Sequence, residues 1–398
     1  MQPILFADDQ QFWFETLRAL GHTAYGGADV NEVITVSQRI TAGDYESWYR
    51  EWRALAERIE GEARKSARHS VTARDAYLRA SNYYRSAEFF LHGLVEDSRA
   101  REVYDRSVAC FHEAILRMPH VSAETIPFAG TQLHGYFYRA PGDGPKPTLL
   151  MHSGFDGSSE ELHFIGAAAA HERGYHVLTF DGPGQPAARH RDGLVFRPDW
   201  ESVVTPVLDW LLKQPGVGPV ALLGLSMGGL LAPRAAAFEH RLAACIAVDG
   251  VFDLGVISTA RFPMPRAQAE ALLRAPDAPE LDALLEATIA SSPTVRWAAH
   301  HGMWVMGAKS PRGFLASYLD YSLDHGVAEQ IRCPTLVCEA EEDIFFAGQP
   351  QQLFDHLICD KTMMRFTHAD AAGAHCHAGA QRLAFGRIFD WLDDHIAR

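Results

Sequence analysis

From residue 121 onward, short apolar runs alternate with amphipathic stretches, and this alternation constrains the fold more than any other feature of the sequence. The apolar runs cover residues 148–151, 177–180, 220–223, 244–248, 335–338 and 363–366, each bounded by turn residues. Amphipathic stretches lie between or after them at residues 160–173, 200–214, 230–240 and 378–396. Strands that alternate with helices are typical of a mostly parallel sheet with helices on both faces. The sequence therefore predicts an α/β fold.

Two other regions are predicted to add helices to this sheet. The run 44–91 contains no proline and carries tryptophan, tyrosine and phenylalanine at roughly helical spacing, which indicates packed helices. Between residues 253 and 328 there are helix-like pieces at 266–273, 280–290 and 311–325 but no convincing strand. A helical insertion between two strands is the expected place for a cap.

These changes in the pattern of apolar residues along the chain predict its domain organisation. We expect a helical N-terminal lid or dimerisation domain over residues 1–120 and a helical cap over residues 253–328. The α/β core comes in two parts, 121–252 and 329–398, and opens on a hairpin of residues 125–128 and 132–138 around Ala129-Gly130.

Composition excludes some classes of partner. The formal net charge is −14, whereas nucleic acids and anionic membranes attract basic surfaces. The chain has 6 cysteines without a CxxC pair, which indicates reduced thiols rather than a disulfide framework. No stretch reaches the roughly 20 apolar residues of a membrane span, and the N-terminus lacks the pattern of a signal peptide. A cytoplasmic protein that binds a small molecule is the default expectation.

The strongest chemical signal is the segment Gly224-Leu225-Ser226-Met227-Gly228-Gly229. It follows an apolar strand and precedes a helix-forming run, which is the context that a nucleophile elbow requires. Glycines two positions before and after the serine are needed where a Cβ would collide with neighbouring backbone. Ser226 is therefore the predicted nucleophile, with the Met227 N–H at a helix start as one donor to an oxyanion.

A serine nucleophile needs a base and an acid that orients the base, and in this type of fold both follow the serine along the chain. The strand at 335–338 runs into four acids, Glu339, Glu341, Glu342 and Asp343. Glu339 comes too early in the strand. Asp343 directly precedes Ile344-Phe345-Phe346, which we expect to shield it from water, so Asp343 is the predicted acid and Glu342 the next candidate.

Three histidines after the last strand are candidates for the base. His375 lies in a loop of small residues that reaches back towards the serine, so it is the predicted base. His377 is the fallback, and His368 lies close to the strand end. The spacing of histidines and acids indicates no metal site, and H-E-x-x-H is absent. We expect neither a metal nor another cofactor.

The second oxyanion donor should come from the loop after an earlier strand. That loop reads His152-Ser153-Gly154-Phe155-Asp156-Gly157, in which Gly154 permits the turn and the Phe155 N–H is the predicted donor.

Candidate substrate contacts are less well defined by the sequence. Asp249 ends a predicted strand, and ligands in open α/β sheets bind outside the carboxyl ends of the strands. Its side chain is a candidate for holding a substrate hydroxyl, with a capping or turn role as the alternative. Asp156 in the oxyanion loop, Tyr84 in the N-terminal helices and Phe252 beside the cap are further candidates, although aromatic residues in such positions more often pack in a core.

These motifs together resemble one branch of the α/β-hydrolase family, which includes 2,6-dihydroxypseudooxynicotine hydrolase and fungal polyketide-shortening (heptaketide) hydrolases. The resemblance rests on the elbow, the oxyanion loop, Phe180-Asp181-Gly182-Pro183-Gly184-Gln185, the segment 342–349, Ala374-His375-Cys376 and the helical run 73–85. It implies a triad of Ser226, Asp343 and His375 and a homodimer whose N-terminal helices help to cover the site. Pro186 and Ser153 depart from the glycines common in relatives.

The resemblance also implies hydrolysis of a carbon–carbon bond next to a carbonyl, as in a retro-Claisen reaction of a β-dicarbonyl, aromatic or polyketide-like substrate. The motifs are equally compatible with an esterase, and with an acyltransferase or cyclase that transfers the acyl group to an acceptor other than water. A non-catalytic homologue that only binds a small molecule is the alternative of another class.

Overall fold

One eight-stranded sheet organises the structure, a computed structural model that describes residues 3–93, 97–260 and 262–396. The strands are β1 (Val121–Phe128), β2 (Thr131–Tyr138), β3 (Lys146–His152), β4 (His176–Asp181), β5 (Val217–Leu225), β6 (Ala244–Val248), β7 (Thr335–Ala340) and β8 (Lys361–Phe366). Their spatial order is β1-β2-β4-β3-β5-β6-β7-β8. Strands β3 to β8 are parallel, whereas β1 and β2 pair antiparallel. The predicted mostly parallel sheet is confirmed, and each predicted apolar run lies within a strand.

The predicted hairpin joins β1 to β2. Ala129 and Gly130 take positive φ angles of 44° and 83°, as a two-residue hairpin turn requires. The turn pairs Phe128 with Thr131, and the register continues to Val121 opposite Tyr138.

Helices α1 (Gln10–Gly21), α2 (Val30–Ser37), α3 (Tyr45–Lys65), α4 (Ser70–Glu88) and α5 (Ser98–Ile115) form the N-terminal region, with 3₁₀ turns at His22–Tyr25 and Phe89–Leu91. Local sequence explains where most of them begin. Asp9, Asp29, Asp44 and Asp97 each precede a helix and accept a hydrogen bond from a backbone N–H of its first turn. The prediction of helices in this region is confirmed.

The N-terminal helices share a hydrophobic core with one face of the sheet. Trp48 of α3 is fully buried against Phe12 and Phe90, and this aromatic cluster is continuous with Leu149 and Met151 of β3. Leu150 points to the other face, which has a separate core. Because side chains alternate along a strand, each central strand supplies both cores. The helical region is therefore packed on the sheet rather than separated from it by a linker.

The remaining core helices follow the strands closely. They are α6 (Ala168–Glu172), preceded by a π-helical turn His163–Ala167, α7 (Pro186–Asp192), α8 (Glu201–Leu211) and α9 (Gly228–Phe238). Pro186 is the first residue of α7, a position where proline is favoured because its fixed φ suits the helix and no N–H is needed there. The proline at position 186, where relatives commonly have glycine, thus fits the structure as the first residue of a helix.

Between β6 and β7 the chain forms α10 (Leu254–Thr259), α11 (Arg266–Leu273), α12 (Pro279–Ser291), α13 (Pro293–Met306) and α14 (Pro311–Ser317), then 3₁₀ turns Tyr318–Asp320 and Ala328–Gln330. The helix predicted at 266–273 is confirmed, and that at 311–325 is shorter than predicted. Helix α13 was not predicted, although Ser292-Pro293 is a capping signal for its start. The four-part division of the chain stays a prediction.

The C-terminal part adds α15 (Gln349–His356), a 3₁₀ turn His375–His377 and α16 (Gln381–His395). Within the described ranges no helix combines the length and apolar character needed to cross a membrane.

Replacing Trp48 by alanine tests the shared aromatic core. Its indole packs on Phe12 and Phe90 at ring distances of 4.8 and 5.0 Å and donates to the Ser86 carbonyl. We expect Trp48→Ala to lower the free energy of unfolding by about 3–5 kcal/mol, because it leaves a cavity and removes the hydrogen bond from the indole. Urea unfolding measures this change. Leu116→Ala is the control, since Leu116 is 76% exposed and should change stability by less than about 0.5 kcal/mol.

Candidate active site

Ser226 lies on a tight turn between β5 and α9. Its φ angle is +59°, a left-handed conformation that is uncommon outside glycine. A Cβ on Gly224 would collide with the Gly228 carbonyl, and a Cβ on Gly228 would lie 2.7 Å from the Ser153 carbonyl oxygen. The packing around this turn therefore requires both glycines, as the sequence predicts, and it leaves the serine side chain partly exposed.

His375 contacts Ser226 from the loop after β8. Its Nε2 atom lies 2.9 Å from the Ser226 Oγ, although 149 positions separate the two residues. The imidazole is buried, and the next two residues, Cys376 and His377, take φ angles of +51° and +54°. This left-handed backbone turns the loop back over the carboxyl ends of the central strands.

Asp343 lies on the other side of the imidazole. Its Oδ2 atom is 2.9 Å from His375 Nδ1, and its Oδ1 accepts the N–H groups of Phe345 and Phe346 at 2.7 and 3.1 Å. Burial alone would raise the pKa of Asp343, but His375 and these two N–H groups lower it. Burial alone would lower the pKa of His375, but Asp343 and other neighbours raise it well above 6.5. The pair is arranged to stabilise an imidazolium.

The expected shield of Asp343 is only partly formed. Phe346 is buried, whereas Ile344 and Phe345 are each 47% exposed. The Phe345 and Phe346 rings nevertheless contact His375, with ring centroids 4.8 and 5.4 Å away.

The alternative acid, Glu342, and the alternative bases, His368 and His377, form hydrogen bonds with other partners than Ser226 and Asp343. Glu342 accepts a hydrogen bond from Nδ1 of His368, whose side chain is 70% exposed. His377 is buried, donates to the Ala372 carbonyl and packs on Phe366. The structure brings Ser226, His375 and Asp343 together, and these contacts hold the other candidates away from Ser226.

Asp249 is also next to His375 but offers no surface to a substrate. Its side chain is fully buried, and its carboxylate accepts the Cys376 N–H and thiol while lying 3.2 Å from His375 Nδ1. The expectation that Asp249 holds a substrate hydroxyl is therefore corrected. Its carboxylate is surrounded by protein atoms, which leave no surface for a substrate.

Tyr84 and Phe252 are buried side chains with protein partners. The Tyr84 hydroxyl donates to Glu60 within the N-terminal helices, and its ring lies against Arg106. Phe252 is buried and stacks on His356 of α15. Both substrate-contact predictions are corrected: these aromatic side chains pack in cores, where they are fully or nearly fully buried.

The loop after β3 lies directly against the Ser226 turn. A Cβ on Gly154 would lie 2.5 Å from the Leu225 carbonyl oxygen and 2.7 Å from the Met227 nitrogen, so no larger residue fits. Gln185 donates to the Ser153 carbonyl, and His301 of α13 donates to the Phe155 carbonyl at 2.8 Å. Among the residues that the structure describes, neither the Phe155 N–H nor the Met227 N–H has an acceptor.

Asp156 anchors this loop to the N-terminal helices. Arg18 of α1 forms ion pairs with Asp156 at 3.0 Å and with Glu161 at 2.6 Å, and Arg85 of α4 lies 3.5 Å from Glu161. Burial alone would raise the pKa of Glu161, but Arg18, Arg85 and His22 lower it to about 2. Sequence reasoning missed Arg18, Arg85 and Glu161, because no local pattern links charges that lie up to 143 positions apart.

Aromatic side chains of the cap surround Phe155. The Phe155 ring contacts His301, Trp297, Phe314 and Tyr318 at centroid distances of 4.6 to 6.5 Å. Beside α1, His375 lines a cleft of about 280 Å³ whose other lining residues include Trp13, Phe14, Leu17, Ile344 and Ala374. The site thus lies between the helical cap and the N-terminal helices.

Asp249, His375 and Cys376 also place one potential metal ligand each within 4.8 Å of one another. Each atom already has a protein partner: the Cys376 thiol donates to Asp249, and the His375 ring is held between Ser226 and Asp343. We therefore interpret the three side chains as a hydrogen-bonded group.

Comparison with known proteins identifies the family. Residues 133–381 match the model of the alpha/beta hydrolase family. The chain belongs to this family.

Similarity to individual curated hydrolases covers almost the whole chain. The hydrolase acrC of Aspergillus aculeatus is 34% identical over 97% of this chain and 96% of its own. The 20-hydroxy-prefusarin hydrolase FUS2 of Gibberella moniliformis is 35% identical over 99% of this chain and 98% of its own. The crystal structure of 2,6-dihydroxy-pseudo-oxynicotine hydrolase superposes with a TM-score of 0.72 over 95% of both chains at 22% identity. This α/β hydrolase therefore has the predicted fold, and the matches extend over its helical regions as well as its sheet.

The pH dependence of stability tests the buried ion pairs of Glu161. The unfolded chain binds a proton at Glu161 near pH 4.5, whereas the folded protein does so only near pH 2. Between these values the unfolded state binds more protons, so the free energy of unfolding should fall by up to about 3 kcal/mol as the pH falls.

Urea unfolding midpoints at several pH values measure the change, with Glu161→Gln as the comparison. Glu161→Gln should be less stable at neutral pH, because it leaves Arg18 and Arg85 poorly paired. The free energy of unfolding of this variant should also change less with pH in this interval. An unchanged slope in the variant would contradict the assignment.

Proposed function

We propose that this α/β hydrolase is a serine hydrolase in which Ser226 is the nucleophile, His375 the general base and Asp343 the acid that orients His375. The observation that carries the proposal is a continuous hydrogen-bond chain, 2.9 Å from Ser226 Oγ to His375 Nε2 and 2.9 Å from His375 Nδ1 to Asp343 Oδ2. A serine on a strained strand-to-helix turn in such a chain matches the geometry by which serine hydrolases act.

In the first step, Ser226 Oγ attacks a substrate carbonyl carbon while its proton passes to His375 Nε2. The carbonyl oxygen becomes an oxyanion, for which the N–H groups of Met227 and Phe155, which have no acceptor among the described residues, are the proposed donors. The neighbouring carboxylates raise the pKa of His375, so the imidazolium formed in this step is stabilised.

For a β-dicarbonyl substrate, the bond between the attacked carbonyl carbon and the neighbouring α-carbon then breaks. Its electron pair forms an enolate, and the proton on His375 Nε2 passes to the α-carbon. Water, deprotonated by His375, attacks the acyl-enzyme and releases a carboxylic acid and free Ser226. An ester would follow the same path with an alkoxide as the leaving group.

Cleavage of a carbon–carbon bond in an aromatic or polyketide-like substrate is the reaction we favour. Phe155 of the proposed oxyanion loop and Tyr318 of the cap are both partly exposed, with ring centroids 6.2 Å apart, and they provide apolar surface for a ring-rich substrate. The relative FUS2 is named as a hydrolase of 20-hydroxy-prefusarin, and this name supports a small organic molecule as the substrate. The expected homodimer and cytoplasmic location stay predictions.

Ser226→Ala tests the proposed nucleophile. We expect the variant to lose at least about 10³-fold in turnover of an activated ester and to resist labelling by a fluorophosphonate probe, because the attacking oxygen is gone. Labelling is read by mass spectrometry of the intact protein. Ser291→Ala is the control, since Ser291 is exposed on α12 and should leave labelling unchanged. A folded wild-type protein whose Ser226 stays unlabelled would instead favour a small-molecule binding protein.

Turnover in ¹⁸O-labelled water tests whether water resolves the acyl-enzyme. Hydrolysis places one label in the carboxylic acid product, which mass spectrometry detects, because the new C–O bond comes from water. The heat-treated enzyme is the control for spontaneous exchange. An acyl product without label would contradict hydrolysis and indicate transfer to a hydroxyl or carbon nucleophile.

A further inference from the structure

A second carboxylate reaches the same imidazole nitrogen as Asp343. Asp249 follows the last residue of β6, next to β5, whose end carries Ser226. Both residues take a left-handed backbone conformation, with φ angles of +65° and +59°. Such a conformation is uncommon for a residue with a side chain. At the ends of these two neighbouring strands, it accompanies side chains that both contact His375.

His375 Nδ1 therefore has two carboxylates within 3.2 Å, and one of them, Asp343, accepts its hydrogen bond. Its distances are 2.9 Å to Asp343 Oδ2 and 3.2 Å to Asp249 Oδ2. We propose that Asp249 is a second positioning acid for His375, which holds the Nδ1 proton and the ring orientation when the bond to Asp343 lengthens or is lost. This inference rests on the proposed triad and adds a residue that the triad does not include.

The contacts of Asp249 hold it at this distance. Both carboxylate oxygens accept the Cys376 N–H, at 3.1 and 2.9 Å, and the Cys376 thiol donates to Oδ2 at 2.9 Å. Because Cys376 is the residue after His375, these bonds tie the carboxylate to the backbone that carries the imidazole. Asp249 and the ring consequently keep their relative position even if the Asp343 loop, whose Ile344 and Phe345 are half exposed, moves.

The charges around Asp249 are consistent with this role. The pKa of Asp249 is raised overall, because burial and the Asp343 carboxylate together outweigh the lowering by His375, His377 and the Cys376 thiol. The Cys376 and Cys338 thiols also face the carboxylate, and burial first, then Asp249, raise the pKa of both thiols, so neither adds a negative charge. When His375 becomes an imidazolium, its positive charge compensates a carboxylate at Asp249 that would otherwise be costly to bury.

A double-mutant cycle at Asp343 and Asp249 tests the inference. The readout is the second-order rate constant for fluorophosphonate labelling of Ser226, which needs no knowledge of the natural substrate. In a site with one orienting acid, loss of that acid costs about 10⁴-fold. We expect Asp343→Asn to cost only about 10- to 100-fold and Asp249→Asn alone less than about 10-fold, whereas the double variant should approach the 10⁴-fold loss.

The coupling between the two substitutions separates positioning from a purely structural role. Asparagine at 249 keeps an oxygen for the Cys376 N–H, so the loop anchor survives while the charge is lost. Asp249→Asn should therefore cost about 100-fold more in the Asp343→Asn background than in the wild type. Glu342→Gln in that same background is the matched control and should add nothing, because Glu342 binds His368.

The pH profile of labelling gives a second measure. In Asp343→Asn, Asp249 still faces Nδ1, so the midpoint of the acidic limb should stay close to that of the wild type. In the double variant the midpoint should move to lower pH, because no carboxylate stabilises the imidazolium. If circular dichroism shows that Asp249→Asn does not fold, the Asp343→Asn variant alone tests the inference. Its labelling rate constant and the midpoint of its acidic limb are then the two measurements.

Two results would overturn the inference. One is a loss near 10⁴-fold in Asp343→Asn alone, and the other is an equal cost of Asp249→Asn in both backgrounds. Either result would leave the proposed function intact as long as Ser226 of the wild type is labelled. Failure of wild-type labelling would instead remove the proposed function, on which this inference depends.

Discussion

The turn at Ser226 leaves no space for side chains around it, and the geometry of the site follows from that constraint. Gly224, Gly228 and Gly154 all lie where a Cβ would collide with backbone atoms of the turn or of the loop after β3. Because these backbones touch, the loop after β3 lies directly beside the serine at Gly154. His375 then completes the site from the far end of the chain, held by carboxylates from the ends of two further strands.

The N-terminal helices contribute to this site through charge as well as through packing. Arg18 reaches from α1 to Asp156, in the loop after β3, and to Glu161, which follows that loop, and Arg85 of α4 joins the same group. Removing one partner of such a buried ion pair costs about 3–5 kcal/mol, since the other charge is left without compensation. The helical region and the loop that carries the proposed oxyanion donor are therefore energetically coupled, and His301 makes a similar connection from the cap.

Much of the fold and part of the site follow from local patterns. The six apolar runs and the Ala129-Gly130 turn predict the strands because burial on both faces and positive φ leave direct signatures in sequence. Ser226, Asp343 and His375 were predicted from motif and chain order, and the structure brings them within hydrogen-bond distance. Tyr84 and Phe252 were mistaken for substrate contacts because an aromatic residue at helical spacing has the same pattern whether it faces a ligand or a core.

The sequence by itself determined the parallel sheet, the glycine-rich turn and the chain order of the proposed nucleophile, acid and base, because each of these depends on neighbouring residues or on the succession of strands. Only the tertiary structure decided that Asp249 faces His375 rather than a substrate, since that depends on left-handed backbone at both Asp249 and Cys376, 127 positions apart. The pairing of Arg18 with Glu161 was likewise decided only in three dimensions. Charges so distant in sequence have no local pattern, and they meet because the helices and the sheet share one core.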